Sequence, residues 1–211
     1  MSATQLMDRL IIGCSEVGAD QYKAGTLTST EMTAVDIGVH EIEQTKLLID
    51  DFPYCNMGYI RRTARKRKRE GKCDLIIIDY LQLIEPDKSA GSVREQQISM
   101  ISRGLKALAK DLDVPIIVLS QLSRDVEKRG GTRMPQLSDL RDSGAIEQDA
   151  DMVIFPYRPA YYEEMSNSKD ENGLPLKGCV KLIVSKNRNG RTLDVDAYHN
   201  ESMTFFSDSR I

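Results

Sequence analysis

The fold of this chain is decided by the stretch DLIIID at residues 74–79. Its consecutive branched apolar residues, with no polar alternation, are typical of a strand that is buried on both faces of a parallel sheet. A second apolar run, IIVL, lies at residues 116–119, and a third, MVIF, lies at residues 152–155. Residues 95–112, between the first two runs, have the apolar periodicity of a helix. This order predicts an α/β fold with a mostly parallel sheet flanked by helices.

The segment before this sheet predicts further helices. Ser2 with Gln5, and Thr28 with Glu31, have the spacing of capping boxes, in which two side chains satisfy the free N–H groups at the start of a helix. We therefore expect one helix to begin after residue 2 and another after residue 28.

The segment after the third apolar run predicts short strands. Apolar residues alternate or cluster at residues 180–184, 192–198 and 203–206. Asn189 and Gly190 between the first two segments favour a tight turn, so these two segments are predicted to form a C-terminal β-hairpin.

The composition is that of an ordinary globular domain and excludes several classes of protein. Of the 211 residues, 40% are hydrophobic, and 29 Lys and Arg residues against 32 Asp and Glu residues give a net charge of −3. This balance excludes a polycation that holds nucleic acid by bulk charge, although local basic surface remains allowed. No apolar stretch approaches the roughly 20 residues that span a bilayer. The first residues do not resemble a signal peptide, so we expect a cytoplasmic protein.

The cysteines and histidines do not form a motif. No pair of cysteines has the CxxC spacing of zinc or thioredoxin sites, and two histidines in unlike contexts do not suggest a metal site or a catalytic triad. We expect free thiols. These residues are Cys14, Cys55, Cys73, Cys179, His40 and His199.

Polar side chains follow the first two predicted strands. Asp79 comes directly after one strand and Gln121 comes shortly after the next. Ligands of parallel sheets bind beyond the carboxyl ends of the strands, so this edge is a candidate site. A carboxylate after a buried strand is also the Walker B pattern, which holds Mg²⁺ directly or through water. Alone, the pattern is weak evidence, because many α/β domains end a strand in an aspartate that forms a cap or a turn.

The usual phosphate-binding loop is not found in these 211 residues. The motif GxxxxGK[ST] would supply backbone N–H groups to a nucleotide. The pair Gly71-Lys72 is followed by Cys73, and Lys66 occupies the position of the first glycine. The residues alone therefore indicate an α/β domain with a candidate magnesium carboxylate.

Four segments taken together are more specific. They are DLIIIDYLQLI at residues 74–84, IIVLSQLSR at 116–124, RMPQLSDLRDSGAIEQDADMVIFPYR at 133–158 and KNRNGRT at 186–192. In this order and spacing they resemble the RecA-like motor domain of replicative hexameric DNA helicases of the DnaB type. The resemblance covers almost the whole chain, and the stretch SDLRDSGAIEQDAD is its most diagnostic part.

The resemblance implies a role for each matching residue of the nucleotide site. Asp79 corresponds to the Walker B aspartate that acts on Mg²⁺, and Gln121 to a glutamine that senses the γ-phosphate. Lys186 and Arg188 correspond to a basic pair on a β-hairpin that reaches the nucleotide of the neighbouring subunit, where an arginine finger stabilises charge on the transferred phosphate. The alternative for Lys186 and Arg188 is a solvated hairpin tip.

The resemblance also implies a DNA-binding segment in the central channel. Arg141, Asp142 and Gly144 match the segment that meets the backbone of single-stranded DNA. The loops at residues 85–93 and 124–135 are expected to face the same channel. The polar segment at residues 122–135, which includes the second of them, is predicted to be a mobile loop. The alternative for Arg141 is an ion pair within the chain, with Asp139 or Asp142.

The basic stretch RRTARKRKREGK at residues 61–72 is the strongest local concentration of charge. In the family it falls on a helix before the Walker B strand and outside the channel. A solvated outer face is therefore the favoured interpretation.

The family pattern continues beyond residue 1. Its phosphate loop, the strand before that loop and its catalytic glutamate are expected upstream, so residues 1–211 are interpreted as a partial RecA-like helicase ATPase domain, truncated at the N-terminus and inactive alone. For the parent protein the resemblance implies ATP-dependent unwinding of duplex DNA, with ATP and Mg²⁺ as cofactors. It also implies a homo-hexamer, single-stranded DNA, primase and a helicase loader as partners.

Two other interpretations remain open from the sequence. The chain could be a RecA-like recombinase or a clock-type ATPase, but these should lack SDLRDSGAIEQDAD. It could also be a degenerate module that oligomerises or binds DNA without catalysis. A phosphate-binding loop encoded upstream would exclude this last alternative.

Overall fold

The structure is a computed structural model. It describes residues 2–86, 93–140, 144–162, 169, 175–200 and 205–208. The chain divides into two compact units, one formed by residues 1–51, 156–182 and 194–211, and the other by residues 52–155 and 183–193. Among the described residues, no helix is both long enough and apolar enough to cross a membrane.

The described part of the first unit includes the α-helices α1 (Ala3–Ser15), α2 (Ala19–Ala24) and α3 (Ser29–Glu43). Both predicted capping boxes are confirmed, at Ser2 for α1 and at Thr28 for α3. The two longer helices pack closely at Gly38 of α3, where a Cβ atom would lie 3.3 Å from the Cβ atom of Cys14. This distance is tighter than ordinary van der Waals contact, so a side chain at position 38 would require α1 to give way by a few tenths of an ångström.

The second unit holds the candidate site and the larger hydrophobic core. Its elements in chain order are α4 (Met57–Arg69), β1 (Ile76–Ile78), α5 (Arg94–Leu112), β2 (Ile116–Val118), α6 (Asp125–Lys128) and α7 (Gly144–Asp149). The helix predicted at residues 95–112 is thus confirmed to within one residue. The basic stretch lies on α4 and the residues after it, as the resemblance implied.

The strands form two sheets. β1 and β2 are parallel neighbours, with Ile76 opposite Ile116 and Ile78 opposite Val118. β3 (Met152–Tyr157), β4 (Cys179–Asn187), β5 (Leu193–His199) and β6 (Phe206–Ser207) form the second sheet in that order. The α/β prediction is confirmed, and the third strand of the series belongs to the second sheet. The predicted hairpin is confirmed as well, because β4 and β5 are neighbours joined by five residues that include Asn189 and Gly190.

The core of the second unit covers one face of the parallel sheet. Ile98, Ile101, Leu105 and Leu108 of α5 are buried together with residues of α4, and the partly buried strand residues Ile76, Ile78, Ile116 and Val118 pack against them. Strand residues alternate between faces, so the intervening side chains point to the other side.

The prediction that these strands are buried on both faces is wrong for this chain. Ile77 is 60% exposed and Ile117 is 49% exposed. The physical reason is that α4 and α5 bring their apolar residues to the face that carries Ile76 and Ile116. The opposite face keeps its aliphatic side chains in contact with solvent.

The one-sided core predicts unequal effects of two isoleucine substitutions in the 211-residue chain. Ile98→Ala removes a side chain that is 1% exposed and should lower the free energy of unfolding by about 2–5 kcal/mol. Ile77→Ala removes a mostly exposed side chain and should cost less than about 1 kcal/mol. Chemical denaturation of both variants measures the difference. Equal losses would contradict a core that lies on a single face.

Candidate functional site

Asp79 and Gln121 lie at the same edge of the parallel sheet, as their positions predict. The pairing of the two strands continues beyond their last residues, because the backbone N–H of Leu119 donates to the carbonyl of Ile78 at 2.9 Å and that of Leu81 donates to the carbonyl of Leu119 at 2.9 Å. Asp79 directly follows β1, and Gln121 follows β2 by three residues. The ladder therefore fixes the two backbone segments that carry these side chains.

Gln82 joins the two strand ends and was missed by the sequence reasoning. Its Oε1 atom accepts a hydrogen bond from the backbone N–H of Gln121 at 3.3 Å, and its Nε2 atom donates to Oγ of Ser120 at 3.0 Å. Arg94, at the start of α5, donates from Nη2 to the carbonyl of Gln82 at 2.7 Å. A polar residue inside the apolar stretch YLQLI was the signal that could have identified it.

The two predicted side chains suit a hydrated cation and a phosphate group. Asp79 and Gln121 are exposed, and within the described part of the chain neither side chain is engaged in a hydrogen bond or ion pair. Carboxylate and amide oxygens are hard ligands of the kind that Mg²⁺ accepts, and Mg²⁺ commonly takes one or two carboxylates together with water and phosphate. The amide of Gln121 can donate to phosphate while it accepts from water.

Lys186 and Arg188 lie at the end of β4 and the start of the hairpin loop, and both contact the last turn of α7. Nζ of Lys186 donates to the carbonyl of Glu147 and, at 3.4 Å, to that of Gln148. Nη2 of Arg188 donates to the carbonyl of Gln148 at 3.0 Å. The last carbonyls of a helix have no partner within it and carry partial negative charge, so two cations stabilise this end of α7.

Asp151 brings a third cation to the same place. Its carboxylate accepts from Lys106 of α5 and from Nη1 of Arg188, the latter at 3.3 Å. The hydrogen bond from Lys106 is the main cause that holds the pKa of Asp151 below its ordinary value. The charges of Lys106, Arg188 and Lys110 act in the same direction, against the opposing effect of partial burial. Asp151 is therefore ionised at neutral pH, and these contacts are lost only as the pH falls through that lowered pKa.

Asn187 shapes the loop that carries Arg188. Its Nδ2 atom donates to the carbonyl of Arg191 at 3.3 Å, and its Oδ1 atom accepts from the backbone N–H of Asn189 at 3.3 Å. A Cβ atom at Gly190 would lie 2.8 Å from Nδ2 of Asn187. The glycine therefore leaves room for the amide that spans the loop.

The predicted DNA-binding residues are only partly within the described chain. Arg141 and Asp142 lie outside the described residues. Gly144 is exposed at the start of α7, and a Cβ atom placed there would meet nothing within 4 Å among the described residues. Packing against the described residues therefore does not require a glycine at position 144.

The loop before this segment is built around a buried aspartate. Asp139 is 4% exposed, and its carboxylate accepts from Nη2 of Arg129 and from the backbone N–H of Gln136, the latter at 2.7 Å. Arg129 also donates from Nη1 to the carbonyl of Met134 at 3.0 Å. Asp139, one alternative partner of Arg141, is thus engaged by Arg129.

The segment at residues 122–135, which the sequence predicted to be a mobile loop, includes the short helix α6 and is tied to Asp139 through Arg129. The sequence reasoning missed this pair because its partners are ten residues apart and neither belongs to a nucleotide-site motif.

The basic helix α4 has the solvated outer face that was predicted. Most of its cations are exposed, and Arg65 pairs at the surface with Asp111 at 2.8 Å.

The contacts of Asp139 predict a loss of stability when its carboxylate is removed. Asp139→Ala takes away a side chain that is 5% exposed and that accepts from Arg129 and from the backbone N–H of Gln136. It should lower the free energy of unfolding by about 2 kcal/mol, because a buried donor loses its acceptor. Lys128→Ala is the matched control, because it breaks only the exposed pair with Asp125 and should cost less than about 1 kcal/mol. Denaturant titration of both variants checks this. A loss at Asp139 as small as that at Lys128 would mean that the pair does not organise the loop.

Comparisons with known proteins identify the family of the chain. The family model of the DnaB-like helicase C-terminal domain matches residues 1–208. The replicative DNA helicase DnaB of Geobacillus stearothermophilus is 42% identical over 190 residues, which cover 90% of this chain and 40% of that protein. The replicative DNA helicase DnaC of Bacillus subtilis (strain 168) is 38% identical over 190 residues, with the same coverage of 90% and 40%.

A solved structure gives the same result for the fold. The structure of a DnaB-like replicative helicase and its interactions with primase matches with a TM-score of 0.89 and 37% identity, over 100% of this chain and 50% of that chain. The chain thus spans about 40% of the length of the curated relatives cited above. Because these relatives are replicative helicases, the recombinase and clock-type alternatives are not favoured. The match over residues 1–208 shows that this chain belongs to the family of DnaB-like helicase C-terminal domains.

Proposed function

We propose that this chain is part of the ATPase motor of a replicative DNA helicase, which hydrolyses ATP, moves along single-stranded DNA as a ring of six subunits and unwinds the duplex at the replication fork. The observation that carries the proposal is the edge of the parallel sheet. There Asp79 and Gln121 follow adjacent strands in a chain of this family, and Gln82 joins the two strand ends.

Asp79 would hold Mg²⁺ through water, and Gln121 would contact the terminal phosphate. When bound, the metal and nucleotide supply the phosphoryl group and the charge that offsets its transfer. The task of Asp79 is to orient a water ligand from a fixed strand end. The task of Gln121 is to bind the terminal phosphate through its side-chain amide, while Gln82 accepts a hydrogen bond from the backbone N–H of Gln121. A change in the position of the phosphate would therefore shift the segment after β2.

The hairpin would act on the neighbouring subunit. Lys186 and Arg188 are proposed to contact the nucleotide bound to the neighbouring subunit, where a guanidinium stabilises charge that develops on the phosphate.

Arg141, Asp142 and Gly144 are proposed to contact the backbone of single-stranded DNA. Contacts of this kind do not depend on base sequence, which suits a motor that must pass every sequence.

The proposed hydrolysis requires a phosphate-binding loop, and the motif GxxxxGK[ST] does not occur in these 211 residues. Experiments on activity therefore need a helicase that carries this chain together with such a loop. A solved relative was studied with primase, and we propose primase and a helicase loader as partners here too. The cytoplasm of a bacterial cell is the proposed location, since the relatives include bacterial replicative helicases.

The proposed function is tested by Arg188→Ala. Hydrolysis of ATP should fall by about 10³-fold or more. Binding of the magnesium nucleotide should stay within about threefold, because a group supplied by a neighbour acts mainly on the transition state. Steady-state hydrolysis and equilibrium binding of a labelled nucleotide measure the two effects. Arg65→Ala is the control, since Arg65 pairs with Asp111 on the outer helix.

Mixed hexamers test whether Arg188 acts on the neighbouring subunit. Rings that mix Arg188→Ala subunits with Asp79→Ala subunits should be more active than either variant alone, because an Arg188→Ala subunit with an intact Asp79 can receive Arg188 from an Asp79→Ala neighbour. A mixture with no more activity than the two separate variants would place Arg188 in its own subunit or outside the reaction. Absence of DNA-stimulated hydrolysis in the unmodified protein would overturn the proposed function itself.

A separate prediction concerns Gly144. If its backbone approaches a DNA phosphate, Gly144→Ala should weaken binding of single-stranded DNA by about the value of one hydrogen bond, roughly fivefold. Thermal stability should stay the same or rise, because alanine favours a helix by up to about 1 kcal/mol over glycine and open space surrounds the position among the described residues. Fluorescence anisotropy and a melting curve measure the two quantities. Unchanged affinity with unchanged stability would remove Gly144 from the DNA site.

A further inference from the structure

We propose that Asp151 is the positioning residue of the Lys186 and Arg188 hairpin, and that it aims Arg188 through a set of contacts which we call the hairpin clamp. The hairpin clamp consists of the contacts of Asp151 with Lys106 and Arg188 and of Gln148 with Arg188. The inference rests on the proposed function, in which Arg188 serves the nucleotide of the neighbouring subunit. Asp151 itself would touch no nucleotide and would act only through Arg188.

The carboxylate of Asp151 is oriented from the core. Lys106 donates to Oδ2, and the side chain of Lys106 is only 23% exposed. Its neighbours on α5, Leu105 and Leu108, are buried in the hydrophobic core. Because α5 is fixed by that packing, Lys106 sets the direction of one carboxylate oxygen and leaves Oδ1 to face Arg188. A carboxylate held in this way is a defined acceptor, unlike a free surface aspartate.

Arg188 is held at its backbone and at its side chain. Its N–H donates to the carbonyl of Asp151 at 2.8 Å, and its Nη1 atom donates to Oδ1 of Asp151 at 3.3 Å. Its Nη2 atom donates to the carbonyl of Gln148 at 3.0 Å. Arginine has many rotamers, and the ordering of a long side chain before the reaction removes an entropic cost at the transition state.

The hairpin clamp leaves the guanidinium free to bind phosphate. A guanidinium has five N–H bonds, and the contacts with Oδ1 of Asp151 and the carbonyl of Gln148 use two of them. The others can donate to phosphate oxygens while these contacts persist. The hairpin clamp is therefore compatible with the proposed finger and does not compete with it.

The hairpin clamp also connects the finger with the proposed DNA segment. α7 begins at Gly144, directly after the residues that include Arg141 and Asp142, and it ends at the carbonyls that hold Lys186 and Arg188. α7 has six residues, so the two ends are separated by little more than one turn. A shift of α7 at its DNA end would move the anchor of the finger.

Asp151→Asn tests the inference in a helicase that carries this chain with a phosphate-binding loop. The asparagine keeps the shape but removes the charge. We expect kcat for ATP hydrolysis to fall by about 10- to 100-fold, the size of effect that a displaced catalytic group produces, with KM for ATP unchanged within about threefold. Asp111→Asn is the matched control, since Asp111 is also a half-exposed carboxylate that pairs with an arginine, Arg65. It should leave both constants unchanged.

The double variant separates positioning from a structural role. In an Arg188→Ala background, Asp151→Asn should cause no further loss of kcat, because a residue that acts only through Arg188 has nothing left to position. A further loss of the same size, or an Asp151→Asn enzyme with wild-type kcat, would overturn the inference. Lys106→Gln should reproduce the fall in kcat, because it releases the carboxylate of Asp151 from its ion pair with Lys106. This variant replaces Asp151→Asn in the test if Asp151→Asn does not fold. An Arg188→Ala enzyme with full activity would instead remove the proposed role of Arg188 on which the inference rests.

Discussion

The parallel pairing of β1 with β2 is the constraint on which the rest of the second unit depends. Ile76 to Ile78 lie opposite Ile116 to Val118, and the ladder continues to the bond between Leu81 and Leu119. A shift of one residue in this register would turn the aliphatic side chains away from α5 and would also separate the two polar strand ends. The hydrophobic contacts with α5 therefore select the same register that brings Asp79 and Gln121 to one edge. A single register thus satisfies both the packing of the core and the geometry of the proposed site.

Electrostatics rather than apolar packing organises the second part of the site. Lys186 and Arg188 face the carbonyls at the end of α7, and Asp151 adds a full negative charge beside them. Exposed pairs of this kind contribute little to stability when taken singly, because solvent screens them. Their contribution is to orient the side chain, since several acceptors converge on the guanidinium of Arg188. The pair of Arg129 with Asp139 differs, because the side chain of Asp139 is only 5% exposed and has the 34% exposed Arg129 as its countercharge, so that the loss of Arg129 would leave a buried carboxylate without its cation.

The sequence was sufficient where local patterns decide the structure. The capping residues Ser2 and Thr28, the periodicity of α5 and the apolar runs predicted the main elements, and the residues after the strands predicted the edge. It was insufficient where a contact joins distant positions. Gln82 with Gln121 and Lys106 with Asp151 are pairs about 40 residues apart, and no local pattern indicates which polar residues will meet. Burial was misjudged for a related reason: an apolar run shows that a strand can be covered on both faces, whereas the coverage itself depends on elements elsewhere.

Helix α5 connects the two parts of the site within one subunit. Arg94 in its first turn binds the carbonyl of Gln82 at the sheet edge, and Lys106 binds Asp151 at the base of the hairpin. With a rise of about 1.5 Å per residue, these two contacts lie roughly 18 Å apart along one helix axis. The buried face of α5 between them makes independent movement of its ends costly, because it would open gaps in a close-packed core. In the proposed ring, one end supports the subunit's own nucleotide edge and the other supports the finger for its neighbour. Under the proposed roles, this helix would form a direct mechanical connection between adjacent nucleotide sites.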